Sequence, residues 1–243
     1  EGVDLCVIGN VISRGNPEVE YVLNHGLNYT SMSRALSDFF LAGKQPIVVA
    51  GTHGKPTTTF LLHHILSEAG LKPGLFAGGV RGDAMDGFAL AGGEHFIIEG
   101  DEYDTAFFDK HAKFLHYRPR YLVLTSVEYD HADIYENEKQ YRRSFERLLR
   151  LVPAEGLVIA CAASPGVRAV LDGYTHSPVE WYTSPDFARR MSSAKTGLKM
   201  AGGLYSFRRR GRDVDFDVPG HVHEFALIGE HNTENALAAA MVA

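Results

Sequence analysis

The chain has 243 residues, 45% of them apolar, and carries a net charge of −6 at neutral pH. That is enough apolar material for a sizeable core in one or two domains, and the acidic balance argues against non-specific nucleic-acid binding. No run of about 18 apolar residues is present, so no membrane-spanning helix is expected, and two cysteines far apart in the chain, Cys6 and Cys161, suggest a reducing cytoplasm rather than a disulfide framework.

The first element reads as a strand over Val3 to Ile8, with no starting methionine and no signal-peptide pattern before it. A strand so near the start, and a helix still apolar at Ala243, suggest that both ends are cut. The most informative stretch follows. Ile47-Val48-Val49-Ala50 is a short β-branched run that stops at Gly51-Thr52-His53-Gly54-Lys55-Pro56-Thr57 and opens into a helix over 60–69. Strand, glycine turn, lysine and helix together aim backbone N–H groups and the positive helix end at phosphate oxygens. Lys55 adds a full charge within reach of the β- and γ-phosphates, and Gly51, Thr52, His53, Gly54, Lys55 and Thr57 become the candidate nucleotide-binding residues. Pro56 stands where the general pattern has Ser or Thr. It has neither hydroxyl nor N–H, although its fixed φ suits a first helical turn. The plain alternative is an ordinary glycine-containing turn between strand and helix.

Further along, Phe96-Ile97-Ile98 predicts a buried strand ending at Glu99. A carboxylate at the C-terminal end of a parallel strand faces the crevice where open α/β sheets bind ligands, and there it would hold a Mg²⁺ that bridges phosphates. A strand over 121–127 leads to Asp130, His131 and Asp133, a cluster suited to a second cation or to orienting water. Asp101, Glu102, Asp104, Asp130 and Asp133 also read simply as solvated loop acids. A helix over 137–151 and a strand over 156–161 continue the alternation, which argues for an α/β fold: a parallel P-loop-type sheet with helices on both faces. The stretch 163–197 is punctuated by Ser, Pro and Gly and its order is left open. Residues 198–228 read as a small antiparallel side sheet, with Arg208-Arg209-Arg210-Gly211 as a hairpin turn between Leu204–Phe207 and Val214–Phe216. His221 and His223 fit the exposed face of a strand better than a metal site, since no third ligand lies near. His63-His64 reads as helix surface. A last helix runs from Thr233 to Met241, with Asn232 and Asn235 near its start, where Asn is a good cap.

Gly51-Thr52-His53-Gly54-Lys55 with its threonine run resembles the ATP loop of the Mur ligase family, the ATP-dependent amide-forming enzymes of peptidoglycan synthesis. Glu99-Gly100-Asp101-Glu102, Asp130-His131-Ala132-Asp133 and Gly229-Glu230-His231-Asn232-Thr233-Glu234-Asn235 resemble three further motifs of that family, in its order. The form Tyr103-Asp104-Thr105-Ala106-Phe107-Phe108-Asp109-Lys110 resembles the branch whose members join a cell-wall tripeptide to UDP-N-acetylmuramate. The L-alanine-adding branch typically has Ser at the position of Tyr103. The resemblance implies ATP and Mg²⁺ as cofactors, Lys55, Glu99 and His131 as catalytic residues, Glu99 and His131 as metal ligands, and Asn232 and Asn235 at the nucleotide, with Asn235 on the adenine. It implies residues 1–43 as the tail of a UDP-sugar-binding domain, 44–243 as the central ATP-binding domain, and a C-terminal domain that is absent.

The chemistry so implied is acyl activation. A carboxylate is a poor electrophile, so ATP donates its γ-phosphoryl group to the carboxylate of UDP-N-acetylmuramate, and the peptide amine displaces phosphate from the resulting acyl phosphate. The protein positions the reactants and neutralises charge, with no covalent nucleophile required. Two other readings stay open: a UDP-N-acetylmuramate–L-alanine ligase, which shares all four motifs, and a nucleotide-binding module with impaired catalysis, which Pro56 would favour. Neither nucleic acid nor membrane insertion is expected.

Overall fold

The computed structural model describes residues 2–78, 87–129, 135–193, 203–210, 213–216, 223–224 and 229–243. In chain order, β1 (Cys6–Ile8), α1 (Pro17–Asn24) and β2 (Tyr29–Ser31) form a small unit in which β1 and β2 pair in parallel. The first strand is shorter than expected, because Val3 and Asp4 remain exposed and unpaired in any sheet. Helix α1 starts where the sequence dictates: the Asn16 carboxamide accepts the N–H groups of Glu18 and Val19 next to Pro17. Helix α2 (Met32–Leu36) continues into a π-helical turn (Ser37–Leu41) and delivers the chain to the main sheet.

That sheet is built from β3 (Gln45–Ala50), β4 (Gly74–Phe76), β5 (Phe88–Ala89) and β6 (His95–Gly100), then, after the hairpin β7 (Asp104–Ala106) and β8 (Asp109–Ala112), from β9 (Tyr121–Leu124). Helix α3 (Lys55–Glu68) links β3 to β4. Beyond β9 come α4 (Glu138–Leu149), β10 (Leu157–Cys161), α5 (Pro165–Val170), β11 (Val179–Tyr182), α6 (Pro185–Ser193) and β12 (Leu204–Tyr205). The spatial order is β12-β11-β10-β9-β3-β6-β4-β5, parallel except for β5. The chain therefore leaves β3 for β4, returns through β6, and then crosses to β9 on the other side of β3. Such a reversal of direction opens a ligand crevice at the C-terminal ends of the strands.

Strand β3 shows why the sequence produces this layering. Alternate residues of a strand face opposite sides. Val48 joins Ile98, Leu122, Leu124 and Val158 on one face, covered by Tyr141, Phe145 and Leu148 of α4 and by Phe114. Ile47 and Val49 join Ile97, Val123 and Ile159 on the other, covered by Leu62 and Leu66 of α3 and by Leu237 and Ala238 of α7 (Glu230–Val242). A strand covered on both faces must be apolar throughout, which is why Ile47 to Ala50 reads as a continuous run.

The structure confirms the α/β class, with a large, mostly parallel sheet flanked by helices and a small antiparallel sheet. The stretch 163–197 proves ordered in its described part: the Ser164 hydroxyl caps α5, and β11 pairs with β10. The side sheet differs in detail. Leu204–Tyr205 does not belong to it but extends the main sheet, in parallel with β11. Its hairpin is β13 (Phe207–Arg210) against β14 (Asp213–Phe216), so Arg208 to Arg210 lie within a strand, and β15 (His223–Glu224) completes it. His221 lies outside the described residues. Among the described residues no helix is long and apolar enough to cross a membrane, and Cys6 and Cys161 are both free thiols.

Candidate active site

The loop between β3 and α3 is shaped by close packing against the end of β9. Gly51 has φ 137°, and a Cβ there would lie 2.3 Å from Thr125 Oγ1 and within 2.8 Å of the Ser126 backbone. Thr52 donates its N–H to the Ser126 carbonyl at 3.0 Å, and His53 donates its own to the Ser126 hydroxyl at 2.9 Å. The Thr52 hydroxyl donates to the Glu128 carbonyl at 3.0 Å, accepts the Glu128 N–H at 2.9 Å, and lies 2.9 Å from the Tyr141 hydroxyl. These bonds explain why β9 ends at Leu124 instead of running to Val127: Thr125 and Ser126 turn to grip the loop, and Thr125 Oγ1 donates to the His53 carbonyl at 2.5 Å. Two N–H groups expected to face phosphate, those of Thr52 and His53, are thus spent on Ser126. The remaining loop glycine, Gly54, caps α3 at φ 80° without any side-chain cap. An uncapped helix start is suited to an anion. Pro56 stands exposed in the first turn of α3, and Thr57 is half-buried beside it.

Lys55 does not extend into solvent. Its ammonium donates to the Gly51 carbonyl at 2.6 Å and to the two oxygens of Glu102 at 2.9 and 3.2 Å, and its side chain is only 12% exposed. Glu102, a member of the Glu99–Glu102 motif that also read as a solvated loop acid, is fully buried at 0% side-chain exposure. The Tyr135 hydroxyl donates to the Glu102 carbonyl at 2.6 Å, and Tyr135 packs edge-on against Tyr141 at 5.0 Å. A buried cation at one end of this chain of contacts and a buried anion beside it compensate one another, as burial requires.

Glu99 sits opposite Val49 at the C-terminal end of β6, and its carboxylate accepts the Gly78 N–H at 2.7 Å. Burial raises its pKa, outweighing that hydrogen bond and Lys55, and the neighbouring charges of Asp101 and Glu102 push it the same way. A folded-state pKa raised above the unfolded value costs stability as pH rises through the window just above the ordinary carboxylate range. Replacing Glu99 by Gln is therefore expected to raise the urea midpoint of the ligand-free chain at about pH 7 but not at about pH 3.5, where the carboxyl is protonated in both states. Equal changes at both pH values would show that the carboxylate is not under electrostatic stress.

The α7 end of the site meets the loop directly. A Cβ on Gly54 would lie 2.9 Å from Asn235 Oδ1, so this amide packs on the glycine that starts α3. Asn235 is buried and Asn232 half-buried. Neither caps α7, contrary to the expectation from sequence: the helix starts at Glu230 behind Gly229, whose carbonyl accepts the Thr233 hydroxyl. His53 is exposed, 3.7 Å from the Glu128 carboxylate. His63, expected on the helix surface, is buried, while His64 is exposed. His131, Asp130 and Asp133 lie outside the described residues, and among the described residues no three Asp, Glu, His or Cys side chains gather as a metal site. Ser126, Tyr135 and Tyr141 were missed as site residues, and Glu102 stood only as a member of the Glu99–Glu102 motif with no role at Lys55. Only their position beside the motifs hinted at them, because each acts through a long-range contact.

A cavity of about 250 Å³ opens beside Glu99. Asn10, Met32 and Ser33 form one wall, and Glu99, Asp101 and Lys113 form the other. Lys113 reaches it paired with Asp101 at 2.6 Å.

A family model of the Mur ligase middle domain matches residues 49–243. A UDP-N-acetylmuramate–L-alanyl-γ-D-glutamyl-meso-2,6-diaminoheptandioate ligase of Haemophilus influenzae is 37% identical over 97% of this chain and 50% of its own length, and that of Escherichia coli is 47% identical over 64% of this chain and 34% of its own. A UDP-N-acetylmuramate–L-alanine ligase of Renibacterium salmoninarum is 34% identical over 100% and 49%. The crystal structure of the corresponding L-alanyl-γ-D-glutamyl-meso-diaminopimelate ligase from Neisseria meningitides superposes with a TM-score of 0.83 at 36% identity, covering 98% of this chain and 73% of that one. The chain spans about half the length, or less, of the curated relatives it matches.

Proposed function

We propose, because this chain belongs to the Mur ligase family, that it carries the ATP-binding part of a ligase joining a cell-wall tripeptide to UDP-N-acetylmuramate through an acyl phosphate, in peptidoglycan recycling in the cytoplasm. The observation that carries this reading is the convergence on one crevice of a glycine-flanked loop, Lys55, the Glu99 carboxylate and Asn235, from β3, α3, β6 and α7.

Lys55 and the start of α3 supply the positive field for the phosphates of ATP, and Asn235 with Asn232 faces the nucleotide next to Gly54. Mg²⁺ fits Glu99. Its carboxylate is strained by burial and by two neighbouring acids, and such a group gains most from a divalent cation. Mg²⁺ uses one or two carboxylates together with phosphate oxygens and water, so no cage of protein ligands is needed. The ion would neutralise phosphate charge, and His131 stands as a further ligand of this proposal. Residues 1–43 are proposed to close a UDP-sugar-binding unit that precedes the central domain at 44–243, with a separate C-terminal unit for the peptide. The cavity lined by Ser33, Glu99 and Lys113 draws residues from both of these proposed units, a suitable place for the substrate carboxylate to approach.

Tyr103, rather than the Ser typical of L-alanine ligases, favours the tripeptide. The test is ADP release by a full-length ligase containing this chain, given ATP, UDP-N-acetylmuramate and either amine. Release with tripeptide but not with L-alanine is expected, and the reverse would assign the chain to the other branch. The 243-residue chain on its own is expected to fold without ligating, since the reactants must be brought together by the other units. Tripeptide-dependent ADP release from it would contradict that.

Pro56 supplies neither an oxygen for Mg²⁺ nor an N–H for phosphate. Pro56→Thr is expected to tighten Mg-ATP binding about tenfold and to leave metal-free ATP binding nearly unchanged, since a charge-assisted contact contributes about 1.5–3 kcal/mol. Equal Mg²⁺-dependent affinities in the two proteins would show that proline is tolerated and other groups hold the ion.

A further inference from the structure

The Lys55 ammonium is surrounded by acceptors of the protein. The Gly51 carbonyl lies at 2.6 Å, Glu102 Oε2 at 2.9 Å and Oε1 at 3.2 Å, and the Thr52 carbonyl follows at 3.5 Å. An ammonium has three N–H donors, so these contacts leave none for a phosphate. The strongest of them is the carboxylate, since a charge-assisted bond is roughly twice as strong as a neutral one.

Glu102 is held in place from the other side. It follows the end of β6 by two residues, its side chain has no exposure, and its backbone carbonyl accepts the hydroxyl of the buried Tyr135. Tyr141, which touches both Tyr135 and Thr52, ties this support to the loop itself. The backbone of Glu102 is therefore anchored and its side chain buried, whereas Lys55 has a long flexible stem and sits at the first position of α3.

We propose that Glu102 is a resident counter-ion for Lys55, one that an incoming nucleotide phosphate must displace. Until then it keeps the ammonium compensated and in position. When the phosphate arrives, Lys55 exchanges one anionic partner for another, and the cost of releasing Glu102 lowers the affinity for nucleotide. Glu102 is thus a positioning residue that sets the affinity of the loop. The inference rests on the reading of the loop as a phosphate site.

The test is a two-by-two cycle of ATP titrations on the 243-residue chain: wild type, Glu102→Gln, Lys55→Met and the double variant, at a temperature where circular dichroism shows all four folded. Gln keeps the shape and an acceptor for Lys55 but removes the charge. Glu102→Gln is expected to bind ATP about tenfold more tightly than wild type, and the gain is expected to vanish when Lys55 is Met. An equal gain in both backgrounds would mean that Glu102 acts on the phosphates without Lys55, and would overturn the counter-ion role. Measurable but equal affinities of wild type and Glu102→Gln would overturn it as well, with the phosphate site intact. Absence of ATP binding by both would reject the phosphate site and the counter-ion role together.

Discussion

Lys55→Ala is expected to lose both the nucleotide and a measurable part of the fold. The functional loss comes from the only full positive charge at the start of α3 among the described residues. Removing two charge-assisted contacts to phosphate lowers ATP affinity by at least about a hundredfold. The structural loss does not follow from the sequence, where Lys55 figures only as a charge within reach of the phosphates. In the structure it neutralises a carboxylate with no solvent exposure. Removing one partner of a buried pair costs about 3 kcal/mol or more, because the other charge stays behind. Adding Glu102→Gln to Lys55→Ala should therefore restore much of the stability and none of the affinity. Urea unfolding of the single and double variants, with ATP titration of each, decides this. A double variant no more stable than Lys55→Ala would show that the pair is not the origin of the loss.

Gly51→Ala is the second large effect. The added methyl would meet Thr125 Oγ1 at 2.3 Å and the Ser126 backbone at 2.7 and 2.8 Å, at a φ of 137° that side chains rarely adopt. Backbone strain of this kind costs about 1–3 kcal/mol, and crowding a packed site adds about 1–3 kcal/mol. The methyl would also push the loop off Ser126, which holds the N–H groups of Thr52 and His53. Gly70→Ala is the natural control. Its φ of 78° is also left-handed, but nothing lies within 4 Å of the new Cβ. It should cost only about 1 kcal/mol. Thermal unfolding of the two variants separates crowding from backbone strain, and similar losses in both would refute the tight contact at β9.

The sheet was legible because its cause is local. Strands β3, β6, β9 and β10 are continuous apolar runs, and a run buried on both faces leaves no other reading once helical segments alternate with it. The loop was legible for the same reason: glycine, lysine and the helix behind them lie within a few residues. What failed to show were contacts between distant segments. Asn232 and Asn235 looked like caps of α7, yet Gly229 starts that helix, and Asn235 is turned toward Gly54 by the packing of α7 on α3. Leu204–Tyr205 looked like half of a hairpin and became the edge of the main sheet, because parallel pairing with β11 satisfies its backbone just as well.

By itself, then, the sequence determined the α/β class, the phosphate-suited loop, the carboxylate at the end of β6 and the family to which they belong, all of them consequences of residue type and short spacing. The tertiary structure alone decided the electrostatic state of the site. Glu102 sits in a run of acids and is indistinguishable there from a solvated side chain. Whether it is exposed depends on where Tyr135, Tyr141 and Lys55 arrive from other parts of the chain. Charge in a protein is set by burial and by partners, and both belong to the fold as a whole.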